Sequence, residues 1–256
     1  MLCAIITHNI CILSIHHAND KAEHIHNVQV VFIISPCGHI HYSFVLCPAD
    51  MAMSNDEIVA TVSAALETAV QLVEEDGWNE EKVEGEAVVK SKINKEGRKI
   101  FLCTATVNVP PKVLEQKMMD IDNLTSWNKT ITESRVLKNL KKDVFVSYQV
   151  TAEGGGGLVS ARDFVYGGKA VHRGGKFIVG GMSVEFEGQP GVGEKVRAWH
   201  GPSCQIIGPV EGAPSMSSYT WLMDCEYRGM IPGSIINIAL PRAQLMMVQS
   251  INNLGL

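Results

Sequence analysis

The order of elements predicts an α+β fold, and three observations carry the prediction. A capping box opens an amphipathic helical pattern over residues 54–76. Short strand-like runs separated by turn residues then fill residues 83–227, and a nearly all-apolar helical pattern follows Pro232. A block of strands between two helices, without alternating βα units, argues against a parallel doubly wound sheet.

Taken in order, Ser54 followed three residues later by Glu57 is the reciprocal cap of a helix start. Val59, Val62, Leu66, Ala69, Val70 and Val73 recur at helical spacing until Asp76-Gly77 ends the pattern. Strands are expected at 83–92, 99–109, 131–139, 143–152, 161–171, 176–187, 194–207 and 217–227. Lys95-Glu96-Gly97, Asn139 to Lys142, Arg173-Gly174-Gly175 and Gly188 to Gly193 supply turns between them. Pro111 suits the first turn of a short second helix reaching Asp120, and an irregular piece surrounds Trp127. After Pro232, the residues Ile235, Ile236, Ala239, Leu240, Leu245, Met246, Val248 and Ile251 mark a long final helix, with a kink expected at Pro241.

Residues 1–50 differ from the rest. They hold seven of the nine histidines and four of the seven cysteines, but one basic residue, Lys21, and three acids, Asp20, Glu23 and Asp50. The apolar run from Leu2 to Ile15 is interrupted by His8 and Asn9 and is shorter than the roughly 20 residues a bilayer span needs. It lacks the cationic start of a secretory signal and the arginines of a mitochondrial presequence. The pairs His24/His26 and His39/His41 would put two imidazoles on one strand face, yet no second cysteine or carboxylate stands at chelating distance, so no metal is expected. Residues 51–54, Met-Ala-Met-Ser, read like a chain start. The division is therefore a poorly ordered leader at 1–50 and one domain at 51–256.

Composition narrows the function. With 46% hydrophobic and 19% charged residues in 256, the chain can bury a core. A formal net charge of -5 removes the broad cationic surface of a non-specific nucleic-acid binder. Seven cysteines without a C-x-x-C pair suggest reduced thiols in a cytoplasmic chain. No G-x-S-x-G, H-E-x-x-H, G-x-x-x-x-G-K-[ST] or G-x-G-x-x-G motif occurs, and Gly154 to Gly157 read as a hairpin loop and not a phosphate cradle. Ser203, His200 and Asp224 are a compositional triad without supporting spacing. Met118, Met119, Met246 and Met247 would suit either plain core or the lining of a greasy pocket.

The stretch from Trp127 to Leu254 resembles the START lipid-transfer domain, in its steroidogenic acute regulatory protein branch. Arg162-Asp163-Phe164-Val165, His200-Gly201-Pro202, Gly212-x-Pro214-Ser215, Thr220-Trp221-Leu222 and Pro232-x-Ser234-Ile235-Ile236-Asn237 carry the resemblance in family order. A weaker match runs back through Gly77-Trp78 to the first helix. The resemblance implies a helix-grip fold, in which a curved antiparallel sheet wraps the C-terminal helix and encloses a hydrophobic tunnel for one lipid. It implies opening by movement of that helix and of the loop at 188–193.

Carried onto this chain, the resemblance points to Asn128, Gln149, Thr151, Gly168 and Val179 as lipid-binding residues on the first strands of the tunnel. Arg197, His200, Cys204 and Leu222 would follow on the later strands, with Ile235, Ile236, Ala239 and Leu240 on the closing helix. The sterol binders of the family carry a buried acid and a buried arginine where this chain has Gln149 and Gly168, so that ion pair is lost and an arginine's volume is freed. Alternation alone would turn Val144, Val146, Tyr148 and Val150 inward, whereas the resemblance turns Phe145, Ser147, Gln149 and Thr151 to the tunnel. The expectation is a non-enzymatic, monomeric, cytoplasmic carrier of a sterol or carotenoid that touches membranes transiently and needs no cofactor. An enzyme using His200 or Asp224 is the contrasting reading.

Overall fold

The computed structural model describes residues 3–7, 10–15, 28–34 and 40–46 as backbone, and residues 52–154, 159–229 and 231–254 in full. The chain divides into two compact units, Met1–Ala52 and Met53–Leu256. In the first, β1 (Cys3–Thr7), β2 (Ile10–Ile15), β3 (Val28–Ile34) and β4 (Ile40–Leu46) pair antiparallel in sequential order, where little regular structure was expected from composition. The residues His24, His26 and His39, and the side chain of His41, lie outside the described residues.

The second unit opens with α1 (Asn55–Glu74). Its capping box is complete: the Glu57 amide donates to Ser54 Oγ, and the Ser54 amide donates to the Glu57 carboxylate at 2.8 Å. Hydrogen bonding to Ser54, its side chain first and its amide second, holds the Glu57 carboxyl below its usual range. The strand expected at 83–92 is instead a hairpin of β5 (Asn79–Glu84) and β6 (Ala87–Ile93). Gly85 turns it at φ 58°, a left-handed conformation that glycine adopts without steric cost. Next come β7 (Lys99–Val107), α2 (Pro111–Met119), a 3-10 turn over Ile121–Ser126, β8 (Ile131–Lys141), β9 (Val144–Thr151), β10 (Arg162–Arg173) and β11 (Lys176–Ser183).

The run expected at 194–207 is broken into β12 (Val196–Arg197), β13 (Trp199–His200) and β14 (Ser203–Pro209), because Gly201-Pro202 interrupts the ladder. Asp224 similarly divides β15 (Ser217–Met223) from β16 (Cys225–Glu226). Finally α3 (Gly233–Asn252) runs through Pro241 as one helix. Proline has no N–H to donate to the carbonyl of the fourth residue back, Asn237, which lies on the exposed side of the helix.

The main sheet runs in the order β5-β6-β7-β15-β14-β11-β10-β9-β8, antiparallel throughout, with β12 added parallel to β10. Both faces are covered. On one, Ile58 and Val62 of α1 pack on Val144, Val146, Tyr148, Val150, Val165 and Val184, while Leu66 and Ala69 pack on Ile100, Leu102, Ile178, Cys204 and Leu222. On the other lie α2 and α3, where Leu114, Met118, Leu240, Leu245, Val248 and Ile251 meet Phe101, Phe145, Phe164 and Tyr219. Alternation along a strand thus feeds two apolar layers, which is why hydropathy alone favoured the α1 side of β9.

Candidate functional site

Between the second face and α3 the packing leaves a cavity of about 620 Å³, within the ~300–1,000 Å³ span of small-molecule sites. Phe145, Gln149 and Thr151 of β9 reach it, as do Phe164 and Tyr166 of β10, Val179 of β11, Trp221 and Met223 of β15, and Tyr227. Met118 and the 3-10 turn close one side; Ile235, Ala239, Leu240 and Met247 of α3 close the other. Three charged residues line it, Lys129, Glu153 and Arg242, and each is exposed. Beside them sit Ile238 and Met246, 56% and 45% exposed, so the mouth lies along α3 and joins apolar side chains to charged ones.

The enclosed part is polar at one end without being charged. His200 stacks on Phe164 at 4.4 Å between ring centroids and meets Tyr166 edge-on at 5.6 Å. Its Nδ1 lies 3.3 Å from the Asp224 main-chain carbonyl. That contact assigns the proton to Nδ1 and leaves Nε2 as an acceptor. Burial pushes the imidazole pKa down to about 4, against a smaller opposing pull from Asp224. The Tyr166 hydroxyl donates to the Ser203 carbonyl at 3.3 Å, and burial raises its pKa. Burial also pushes the Cys204 thiol up to about 12, so it is not a nucleophile at neutral pH.

Of the residues named from sequence, Asn128, Gln149, Thr151, Val179, His200, Cys204, Ile235, Ala239 and Leu240 line the cavity. Asn128 Oδ1 accepts from the Thr130 amide and hydroxyl, and Thr151 Oγ1 accepts from the Arg162 amide. Cys204 borders the cavity but belongs to the α1-facing cluster.

Four residues do not line it. Leu222, in register with Cys204, is fully buried beneath α1 because strand alternation turns it away. Arg197 forks onto the buried carboxylate of Asp163 at 3.1 and 2.8 Å and donates to the Pro190 carbonyl at 2.8 Å, which uses its guanidinium. Ile236 packs against the core. Gly168 frees no volume: it pairs with Phe145 in register, and a Cβ built there would overlap the Phe145 ring. No residue of the loop at 188–193 lines the cavity.

The compositional triad is not assembled. The Asp224 carboxylate, almost fully buried, accepts from Arg98 Nε and Nη2 at 2.8 and 3.0 Å and from Asn94 Nδ2 at 2.9 Å. His200 meets only the main-chain oxygen of Asp224, and Ser203 Oγ accepts from the Asp224 amide. An orienting carboxylate is thereby missing from the imidazole. Sequence reading passed over Tyr166, Trp221 and Tyr227, although a spacing of two from Phe164 and Met223 places the first two on cavity-facing positions.

A family model described as START domain matches residues 59–252. The chain belongs to the START domain family. A START fold also matches the solved structure of human StAR-related lipid transfer protein 5, with a TM-score of 0.71 at 16% identity, covering 78% of this chain and 96% of that one. Human STARD10 follows with a TM-score of 0.59 at 19% identity, covering 78% and 80%. In sequence, this START chain is similar to the human mitochondrial steroidogenic acute regulatory protein, 32% identical over 176 residues, 68% of this chain and 62% of that one. The Xenopus laevis steroidogenic acute regulatory protein is 33% identical over 176 residues with the same coverage. The chain thus spans about three-fifths of the length of these relatives. Among the described residues no helix is long and apolar enough to cross a membrane.

Proposed function

We propose that this START chain is a non-enzymatic carrier that holds one sterol-like lipid in the cavity beneath α3 and moves it between membranes. The observation that carries the reading is the cavity of about 620 Å³, open along α3 and apolar in most of its lining, with no charged residue away from its mouth. Such a space shields a hydrocarbon skeleton from water and asks for no more than one or two neutral polar groups on the ligand. The similarity to steroidogenic acute regulatory proteins supports a lipid of the sterol class.

The other two readings lose support. A longer carotenoid needed the volume of a lost arginine, and the Phe145 ring occupies the space over Gly168. An acid-base enzyme using Asp224 or His200 is opposed on both counts: the Asp224 carboxylate is bound to Arg98 and Asn94, and His200, pushed down to about 4 by burial, has no carboxylate on its ring to orient it. The exposed Ile238 and Met246 at the mouth suit transient contact of a cytoplasmic carrier with a membrane surface. The test is organic extraction of the full chain after incubation with a mixed sterol, carotenoid and phospholipid pool, read by mass spectrometry and visible absorbance. One sterol per chain is expected; a yellow protein would favour the carotenoid, and an empty extract would oppose the carrier reading.

A further inference from the structure

The depth of the cavity is set on one pair of strands. On β9 the lining residues run from Thr151, beside the mouth residue Glu153, through Gln149 to Phe145. From Thr151 to Phe145 is about 20 Å of strand. On the antiparallel partner β10 the lining is Phe164 and Tyr166, and it stops two residues short of Gly168. Phe145 and Gly168 are register partners. A Cβ built on Gly168 would overlap Cζ, Cε1 and Cε2, the far edge of the Phe145 ring. The ring therefore leans across the gap between the strands and lies on bare backbone, a close approach that glycine permits. Farther along β10 and β11, Ala170 and Phe177 belong to the same core cluster as Phe145, and neither lines the cavity. Val179, the register partner of Ala170, closes the corner beside the ring.

We propose that Phe145, laid flat on Gly168, is the stop that sets how long a lipid the cavity accepts. This deepens the carrier reading and rests on it. The stop works by contact alone, so it acts on whichever end of the lipid enters first. With the ring down on β10 the cavity keeps its full depth, and a side chain on residue 168 would lift the ring into that space and shorten it. Removing the ring would instead extend the cavity over Gly168 toward Ala170. The two substitutions move one boundary in opposite directions, which separates a length gauge from a general loss of packing. A methylene that finds room gains about fourfold in affinity, and one that does not must force a close-packed wall to move.

The experiment measures the affinity of the full chain for three sterols that share the ring system of cholesterol, by competition with a fluorescent sterol. One lacks the side chain, one is cholesterol itself, and one carries a side chain extended by a butyl group. Wild type is expected to bind cholesterol best and the extended sterol about tenfold more weakly, the scale of overpacking a closed end. Phe145→Ala is expected to bring the extended sterol within about twofold of cholesterol, because the added methylenes then find room. Gly168→Ala is expected to move the optimum the other way, so that the sterol without a side chain binds at least as tightly as cholesterol. Phe145→Leu serves if Phe145→Ala does not fold, with a smaller shift toward the extended sterol. Equal binding of cholesterol and the extended sterol by wild type overturns the stop, and so does a Phe145 variant that weakens all three alike. Failure of wild type to bind any of the three removes the carrier reading itself, and the stop with it.

Discussion

His200 makes the stability of this chain depend on pH in a way that can be isolated. The native imidazole titrates near 4 because it is buried, against 6.5 for a solvated one. Between those values the unfolded chain takes up a proton that the native chain refuses. The stability His200 contributes is therefore fully present above the unfolded value, falls as pH drops through about 6.5, and falls no further below about 4. A separation of about 2.5 units corresponds to about 3 kcal/mol over the whole window, of which about 2 kcal/mol is already lost at pH 5. The assay is urea unfolding of the full chain between pH 7.5 and 5, followed by tryptophan fluorescence, for wild type and His200→Asn. Every other titrating group is common to both proteins, so the difference between the two curves isolates His200. Wild type is expected to lose about 2 kcal/mol more than the variant across that range. Parallel curves would mean that the imidazole is solvated and charges freely, which would refute the neutral acceptor described above.

Three further outcomes are expected. Gly168→Ala forces its Cβ into the Phe145 ring and is expected to cost about 2 kcal/mol by urea unfolding, with Phe145→Leu in the same chain restoring part of it. Asp224→Ala strands Arg98 and Asn94 and is expected to cost about 3 kcal/mol by the same measurement; a loss under 1 kcal/mol would deny the carboxylate its structural role. Ser54→Ala removes one arm of the α1 capping box and is expected to cost about 1 kcal/mol, read as a lowered midpoint with unchanged slope.

What the sequence disclosed follows from which signals were local. Ser54 and Glu57 announce α1 because a capping box is complete within four residues. The strand β5 was missed because Asn79–Glu84 is an outermost strand exposed on both sides, so Asn-Glu-Glu-Lys-Val-Glu has no alternation to read. In the site, residue identity was legible but facing was not. On β9 both faces are covered, and the more apolar set, Val144 to Val150, packs beneath α1 while Phe145 and Gln149 reach the cavity. The same ambiguity put Leu222 in the expected lining when it belongs to the α1 layer. Arg197 and Gly168 were misplaced for a different reason. Their roles depend on distant partners, Asp163 across 34 residues and the Phe145 ring on the adjacent strand, which no spacing rule reveals.

The central claim, one lipid held in the cavity under α3, is tested most directly by native mass spectrometry of the full chain incubated with cholesterol, beside an Ala239→Trp variant that fills the cavity from α3. The account predicts one added sterol mass on the wild type and none on the variant, with both chains unfolding at similar urea midpoints. Loading of both chains alike would contradict it, because the lipid would then be held elsewhere.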